Sequence, residues 1–126
     1  TRKAMRYFKL EEFESPDEPG TGCMMCPDFL ELLDEARDYA GIPFVITSGF
    51  RSVDYNRELI EQGFSASRNS THLIGLAADI RVRNSSERWI ILDALLEVGI
   101  TRIGIGNGFI HCDADPLKEN HIIWTY

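Results

Sequence analysis

Arg102-Ile-Gly-Ile-Gly-Asn-Gly-Phe-Ile-His-Cys-Asp113 is the stretch whose reading decides the fold. Two short β-favouring runs, 102–105 and 109–113, flank Gly106-Asn107-Gly108, and glycines around an asparagine supply the backbone freedom that a tight hairpin turn needs. Side chains alternate along a strand, so Ile110 and Cys112 face one way and His111 and Asp113 the other. A final strand over 121–125 then closes the chain.

Working back from the hairpin, Ser85 reads as the N-cap of a helix with Glu87 in its first turn. Leu92, Leu95 and Leu96 form its apolar stripe, and Gly99 ends it. Residues 77–82 read as a strand, 64–71 as a polar loop, and Ser52 as the cap of a helix that stops near Gly63. Phe44-Val-Ile-Thr47 is a β-favouring run broken by Ser48-Gly49. Pro27 suits a first helical position, Phe29, Leu33, Ala36 and Ala40 recur on one face, and Gly41 suits a C-terminal stop, so the spacing predicts a helix over 27–40. Residues 14–22 are a Pro- and Gly-rich loop joining an N-terminal arm to the body. Helices mostly early and strands clustered late give an α+β fold, a small antiparallel sheet backed by helices on one face.

The chain has 126 residues, 44% hydrophobic and 26% charged. That is one domain of ordinary soluble composition, with residues 1–22 as arm and loop. A formal charge of −7 argues against nucleic-acid binding, which depends on Lys and Arg neutralising phosphates. The longest apolar stretch, 89–100, is interrupted by Asp93 and Glu97 and falls short of the ~20 residues of a membrane span. A monomer is expected. No N-terminal segment has the order of a secretory signal. Met5 reads as a natural start, with Thr1 to Ala4 an addition ahead of it. Three cysteines make an odd number, which fits poorly with a disulfide framework. Cys23-Met-Met-Cys26, with no second pair following, reads as two ordinary thiols before a helix.

The chemistry-bearing candidates are His72, His111 and His121 with Asp79 and Asp113, because imidazole and carboxylate are usual zinc ligands and a catalytic site uses three of them plus an open position. Taken singly, each histidine is more often a hydrogen-bonded core or surface residue. His72 and Asp79 stand seven apart, so an unbroken strand would point them to opposite faces. A turn at Gly75 lets both reach the same side. His111-x-Asp113 with His121 also has the composition of an iron-binding facial triad, but the chain has too few strands for the larger β fold such enzymes use.

Five runs together carry a resemblance: Ser48-Gly-Phe-Arg-Ser52, Ser70-Thr-His-Leu-Ile-Gly-Leu-Ala-Ala-Asp-Ile80, Arg102-Ile-Gly-Ile-Gly106, Phe109-Ile-His-Cys-Asp113 and Trp124-Thr-Tyr126. In this order they resemble the M15 zinc peptidases, which include D-alanyl-D-alanine carboxypeptidases and phage endolysins and share a fold with the Hedgehog signalling domain. The resemblance implies a Hedgehog-like fold and one zinc ion held by His72, Asp79 and His111, with Arg51 lining the site. It also implies hydrolysis of peptidoglycan stem peptides, by carboxypeptidase or endopeptidase action through a metal-activated water. Arg51 would steady the oxyanion or clamp a substrate carboxylate, and Ser48 and Ser70 would bind substrate or hold ligands. The chain departs from the family at Gly108, where several members carry an acid three residues before the last ligand. Asp113 is the replacement, either as the base or as a group orienting a ligand or Arg51. The resemblance further implies synthesis in the cytoplasm and action at the periplasmic wall. The other expectation is a non-catalytic module that keeps the zinc fold and binds a wall peptide or a protein.

Overall fold

The computed structural model describes residues 5–64 and 66–126. Thr1 to Ala4, read above as an addition before the natural start, lie outside the described residues, as does Ser65 of the polar loop. Among the described residues are three α-helices and five strands: α1 Pro27–Ala40, β1 Ile46–Ser48, α2 Val53–Glu61, β2 Ala77–Arg81, α3 Ser85–Glu97, β3 Arg102–Ile105, β4 Phe109–Asp113 and β5 Ile122–Thr125. The α+β class expected from the sequence is the class observed.

α1 has the predicted bounds for the predicted reasons. Pro27 occupies a first-turn position where its missing N–H costs nothing, and Gly41 adopts φ 71° and returns its N–H to the Arg37 carbonyl. The helix buries Phe29, Leu30, Leu33 and Ala36. Asp34 is buried too, and its carboxylate accepts the backbone N–H groups of Arg6 and Tyr7 at 3.0 Å each, which ties the N-terminal arm to the body. α3 differs from the expectation in two details. Its N-cap is Asn84, whose side chain accepts the Glu87 N–H at 2.8 Å, while Ser85 is already helical. Its buried stripe is Ile91, Ala94 and Leu95, and Leu96 is exposed.

The sheet runs in the order β1-β2-β4-β3-β5. The first three pairings are antiparallel, and β5 departs from the expected antiparallel arrangement by lying parallel to β3. The segment after β4 loops back past the far end of β3 before re-entering the sheet, so β5 starts beside Arg102. On the inner face Ala78, Ile80, Ile103, Ile110 and Cys112 join Phe29, Leu33, Ile91 and Leu95 in one hydrophobic cluster. Fully burying a large apolar side chain contributes about 1.5–3 kcal/mol, so this layer fixes which face of each strand turns outward. No helix among the described residues is long and apolar enough to cross a membrane.

The outward face carries one row of register partners across all five strands: Ser48, Asp79, His111, Gly104 and Trp124. A parallel row holds Ala77, Asp113, Arg102 and Ile122. The apolar inner face therefore delivers Asp79, His111, Asp113 and Arg102 to the outer face without any special backbone device.

Candidate metal centre

His72 reaches this row from outside the sheet. It sits in a 3-10 turn, Thr71–Ile74, whose N-cap Ser70 accepts the His72 N–H through Oγ at 3.2 Å. Gly75 ends the turn at φ 71°, and a Cβ there would lie 2.2 Å from the Met24 carbonyl oxygen. Only glycine fits both the left-handed backbone and that approach. The turn inferred at Gly75 is present, and it brings His72 against Asp79.

The His72 Nδ1 stands 2.7 Å from the Gly49 carbonyl oxygen. A carbonyl can only accept, so Nδ1 carries the hydrogen and the Nε2 lone pair points out, 3.3 Å from Asp79 Oδ1. His111 places Nδ1 at 2.9 Å from the same Asp79 oxygen and Nε2 at 2.6 Å from Asp113 Oδ2. One donor atom from each of His72, Asp79 and His111 lies within 4.8 Å of the others, and this is the group of metal-compatible side chains found among the described residues. Two imidazole nitrogens and a carboxylate oxygen, each with its other polar atoms engaged elsewhere, fit a divalent cation of borderline softness.

The electrostatics agree with that donor set. Burial pushes the Asp79 carboxyl up, but its close contacts with His111 and His72 outweigh it and hold the group well below the usual carboxylate range. Burial lowers His72, leaving it neutral and able to offer a lone pair. His111 is also pulled down by burial, yet its bonds to Asp113 and Asp79 win and raise it above its ordinary value. His111 thus bridges the Asp79 and Asp113 carboxylates, and a cation placed between His72, Asp79 and His111 would meet three groups able to donate an electron pair.

Arg51 differs from a poised substrate clamp. It is buried, and each of its nitrogens has a partner: Nε donates to Ser48 Oγ at 2.9 Å, one terminal nitrogen to Asn56 Oδ1 at 3.4 Å, and the other to Asp79 Oδ2 at 3.2 Å. Its contact with Asp79 Oδ2 leaves Oδ1 turned to the two histidines. Ser48 holds Arg51, and Ser70 caps the His72 turn. Neither serine hydroxyl stands apart from such a structural bond.

Asp113 is almost fully buried, and both oxygens are occupied. Oδ2 meets His111 Nε2, while Oδ1 accepts from Arg102 Nε at 2.6 Å and from the Asp115 N–H at 3.2 Å. Arg102, quoted above within a motif but given no role there, is the site residue that sequence reasoning passed over. The signal was available, since a hairpin closing at Gly106-Asn107-Gly108 puts Arg102 opposite Asp113 on the same face as His111. His121 is elsewhere: it is exposed at φ 58° before β5, with Nδ1 against Asn120 Oδ1 at 2.6 Å. Cys23 and Cys26 are free thiols outside the cluster.

A cavity of about 330 Å³ opens over the cluster, with Ser67, Ser70 and Lys118 on one wall and Phe109, Trp124 and Tyr126 on another. Gly104 lets the aromatic wall lie close: a Cβ there would fall within 3.0 Å of the Trp124 and Tyr126 rings. The Trp124 ring in turn stands 5.6 Å from the His111 ring, centre to centre.

Comparisons with known proteins address this arrangement. No curated protein sequence matches the chain. Among solved structures, the L-Ala D-Glu endopeptidase of Serratia marcescens is similar, with a TM-score of 0.61 and 24% identity over 74% of this chain and 82% of that one. That likeness concerns the fold, which is the Hedgehog-like fold expected above. The family model described as Peptidase M15 matches residues 6–113, a span that includes His72, Asp79, His111 and Asp113 and all but the last strand of the sheet, and by that match the chain belongs to the peptidase M15 family.

Proposed function

We propose that the protein is a zinc-dependent endopeptidase that hydrolyses peptide bonds within peptidoglycan stem peptides, with His72 Nε2, Asp79 Oδ1 and His111 Nδ1 holding one metal ion. The observation that carries this reading is the convergence of those three atoms within 4.8 Å, with the Gly49 carbonyl and the Asp113 carboxylate placed to accept from the other nitrogen of each imidazole. Bound zinc would polarise the scissile carbonyl and lower the pKa of a water molecule to about 7. The chain's own residues do the rest. Arg51 fixes Asp79, and its positive charge beside the cluster would help to stabilise a developing oxyanion. Asp113 orients His111 rather than acting as base, because both of its oxygens are already bonded and it lies on the far side of the imidazole from Asp79. The aromatic wall of Phe109, Trp124 and Tyr126 excludes water from one side of the groove and offers rings to apolar parts of the peptide.

An endopeptidase is preferred to a carboxypeptidase for two reasons. Arg51, the cation nearest the cluster, is engaged at every nitrogen and so is not set to grip a free C-terminal carboxylate. The similar Serratia marcescens protein is described as cutting an internal L-Ala D-Glu bond. Acting on this substrate places the protein at the cell wall.

Purified protein with zinc, incubated with isolated stem peptides and read by mass spectrometry, should yield fragments cut internally. His72→Ala or a chelator should stop the reaction. Release of D-alanine alone would move the assignment to a carboxypeptidase. No cleavage by the zinc-loaded protein would defeat the peptidase reading.

One observation favours a second reading, a zinc-holding module that binds wall peptide without cutting it. The two carboxylates of the groove, Asp79 and Asp113, are both engaged, and Gly108 stands where several family members carry an acid. A Cβ on Gly108 would meet nothing within 4 Å and its backbone is not left-handed, so Gly108→Glu is a sterically free test. Peptide binding without cleavage in the parent, with cleavage appearing in Gly108→Glu, would establish the module.

A further inference from the structure

We propose that Arg102 is a positioning residue for the metal centre: it holds the Asp113 carboxylate in the pose that takes the Nε2 hydrogen of His111, and so decides which His111 nitrogen carries the hydrogen. The inference rests on the metal-centre reading above.

The geometry is that of a three-part relay. Arg102 Nε donates to Asp113 Oδ1 at 2.6 Å, and Asp113 Oδ2 meets His111 Nε2 at 2.6 Å. The register pairs Arg102 with Asp113 directly, and His111 precedes Asp113 by two residues on the same strand face, so all three project from one patch of sheet. Arg102 is itself clamped on two further sides. One terminal nitrogen donates to the Glu119 carbonyl, and the guanidinium carbon lies 5.0 Å over the Trp124 ring. Arg102 is 8% exposed and Asp113 2%, so the pair sits where an unpartnered carboxylate would be costly and would rotate to find another donor.

The functional consequence follows from hydrogen counting. Neutral imidazole has one N–H and one lone pair. Asp79 competes with Asp113 for the His111 hydrogen, since its Oδ1 is 2.9 Å from Nδ1. If Asp79 won, His111 would offer the cluster a hydrogen instead of a lone pair and could not ligate from Nδ1. Arg102 keeps Asp113 oriented as acceptor, which settles the competition in favour of the ligating tautomer. A planar guanidinium does this because it can donate to Asp113 and Glu119 while stacking on Trp124, and an ammonium offers no flat face for that stack.

The test uses ¹⁵N-histidine-labelled protein as wild type, Arg102→Met and Arg102→Lys, with two readouts. Long-range ¹H–¹⁵N spectra of the zinc-free protein at pH 9 report the His111 tautomer, and competition with a chromophoric chelator reports zinc affinity. The wild type should show a single Nε2–H tautomer. Arg102→Met should show the Nδ1–H form and bind zinc about 100-fold more weakly, and Arg102→Lys should restore part of both, in line with the about 10–100-fold that partners of ligating histidines contribute. Identical His111 tautomer and zinc affinity in wild type and variants would overturn the proposal. Should Arg102→Met fail to fold, Arg102→Lys decides alone: a mixed tautomer with about tenfold weaker zinc supports the proposal, and wild-type behaviour overturns it. A wild type that takes up no zinc would sink the metal-centre reading, whereas the zinc-free tautomers would still decide the role of Arg102.

Discussion

Replacing Gly104 by alanine should damage the site from a position that carries no functional group. Gly104 lies between His111 and Trp124 in the cross-sheet row, and an added Cβ would stand 2.7 Å from Trp124 Nε1, 2.8 Å from its Cε2 and 2.9 Å from Tyr126 Cε2. Ordinary carbon contacts begin near 3.4 Å, so the rings must withdraw by about 0.7 Å from the 2.7 Å contact. They belong to edge strand β5 and its terminus, which can yield, so the cost falls at the lower end of overpacking, about 1–2 kcal/mol. With an unfolding entropy of about 2.1 cal/mol/K per residue over 126 residues, Tm should fall by about 4–8 °C. The displaced Trp124 also loses its seat against Arg102 and His111, so its fluorescence should shift to the red. In a Trp89→Phe background, which removes the exposed second tryptophan, melting and emission spectra read the two effects separately. Unchanged Tm together with unchanged Trp124 emission would refute the close packing on which the aromatic wall depends.

Arg51→Met breaks a pair whose side chains are only 9% and 13% exposed, and it strands Asp79 Oδ2. A loss of about 3–5 kcal/mol is expected in urea titration, against about 1 kcal/mol for Ser48→Ala, and equal losses would contradict the pairing. Asp34→Ala removes the acceptor of the Arg6 and Tyr7 N–H groups, so amide exchange at those two positions should accelerate while α1 stays protected, and unchanged exchange would contradict arm docking. Asp17 is held below its ordinary value of 3.8 by the hydroxyls of Ser15 and then Ser52. Its folded pKa is depressed, so its contribution is present above about pH 4 and is lost as pH falls through the folded value. The Tm gap between wild type and Asp17→Asn should therefore shrink on acidification below about pH 4, and a gap independent of pH would count against the Ser15–Asp17–Ser52 link.

The local features were legible because single residues dictate them. Pro27 and Gly41 bound α1, Gly75 turns the chain after His72, and Gly106-Asn107-Gly108 closes the hairpin that puts His111 and Asp113 on one face. What escaped depends on partners distant in sequence. Nothing in Ile122–Thr125 says that it lies parallel beside β3, since its alternation suits either direction. The Asn84 cap and the Ile91–Leu95 stripe were displaced by a residue or so because neighbouring Asn and Ser, or Ile and Leu, satisfy the same local rule. Within the site, His72, Asp79 and His111, singled out in the sequence, lie together in the fold. The saturation of Arg51 and the hold of Arg102 on Asp113 are visible only once the sheet register is known.

Zinc content per chain, measured by elemental analysis after dialysis, tests the central claim most directly. One ion is predicted in the wild type, with its loss in each of His72→Ala, Asp79→Ala and His111→Ala and its retention in His121→Ala. A wild type without zinc, or zinc that survives removal of any one of the three proposed ligands and leaves with His121 instead, would contradict the account.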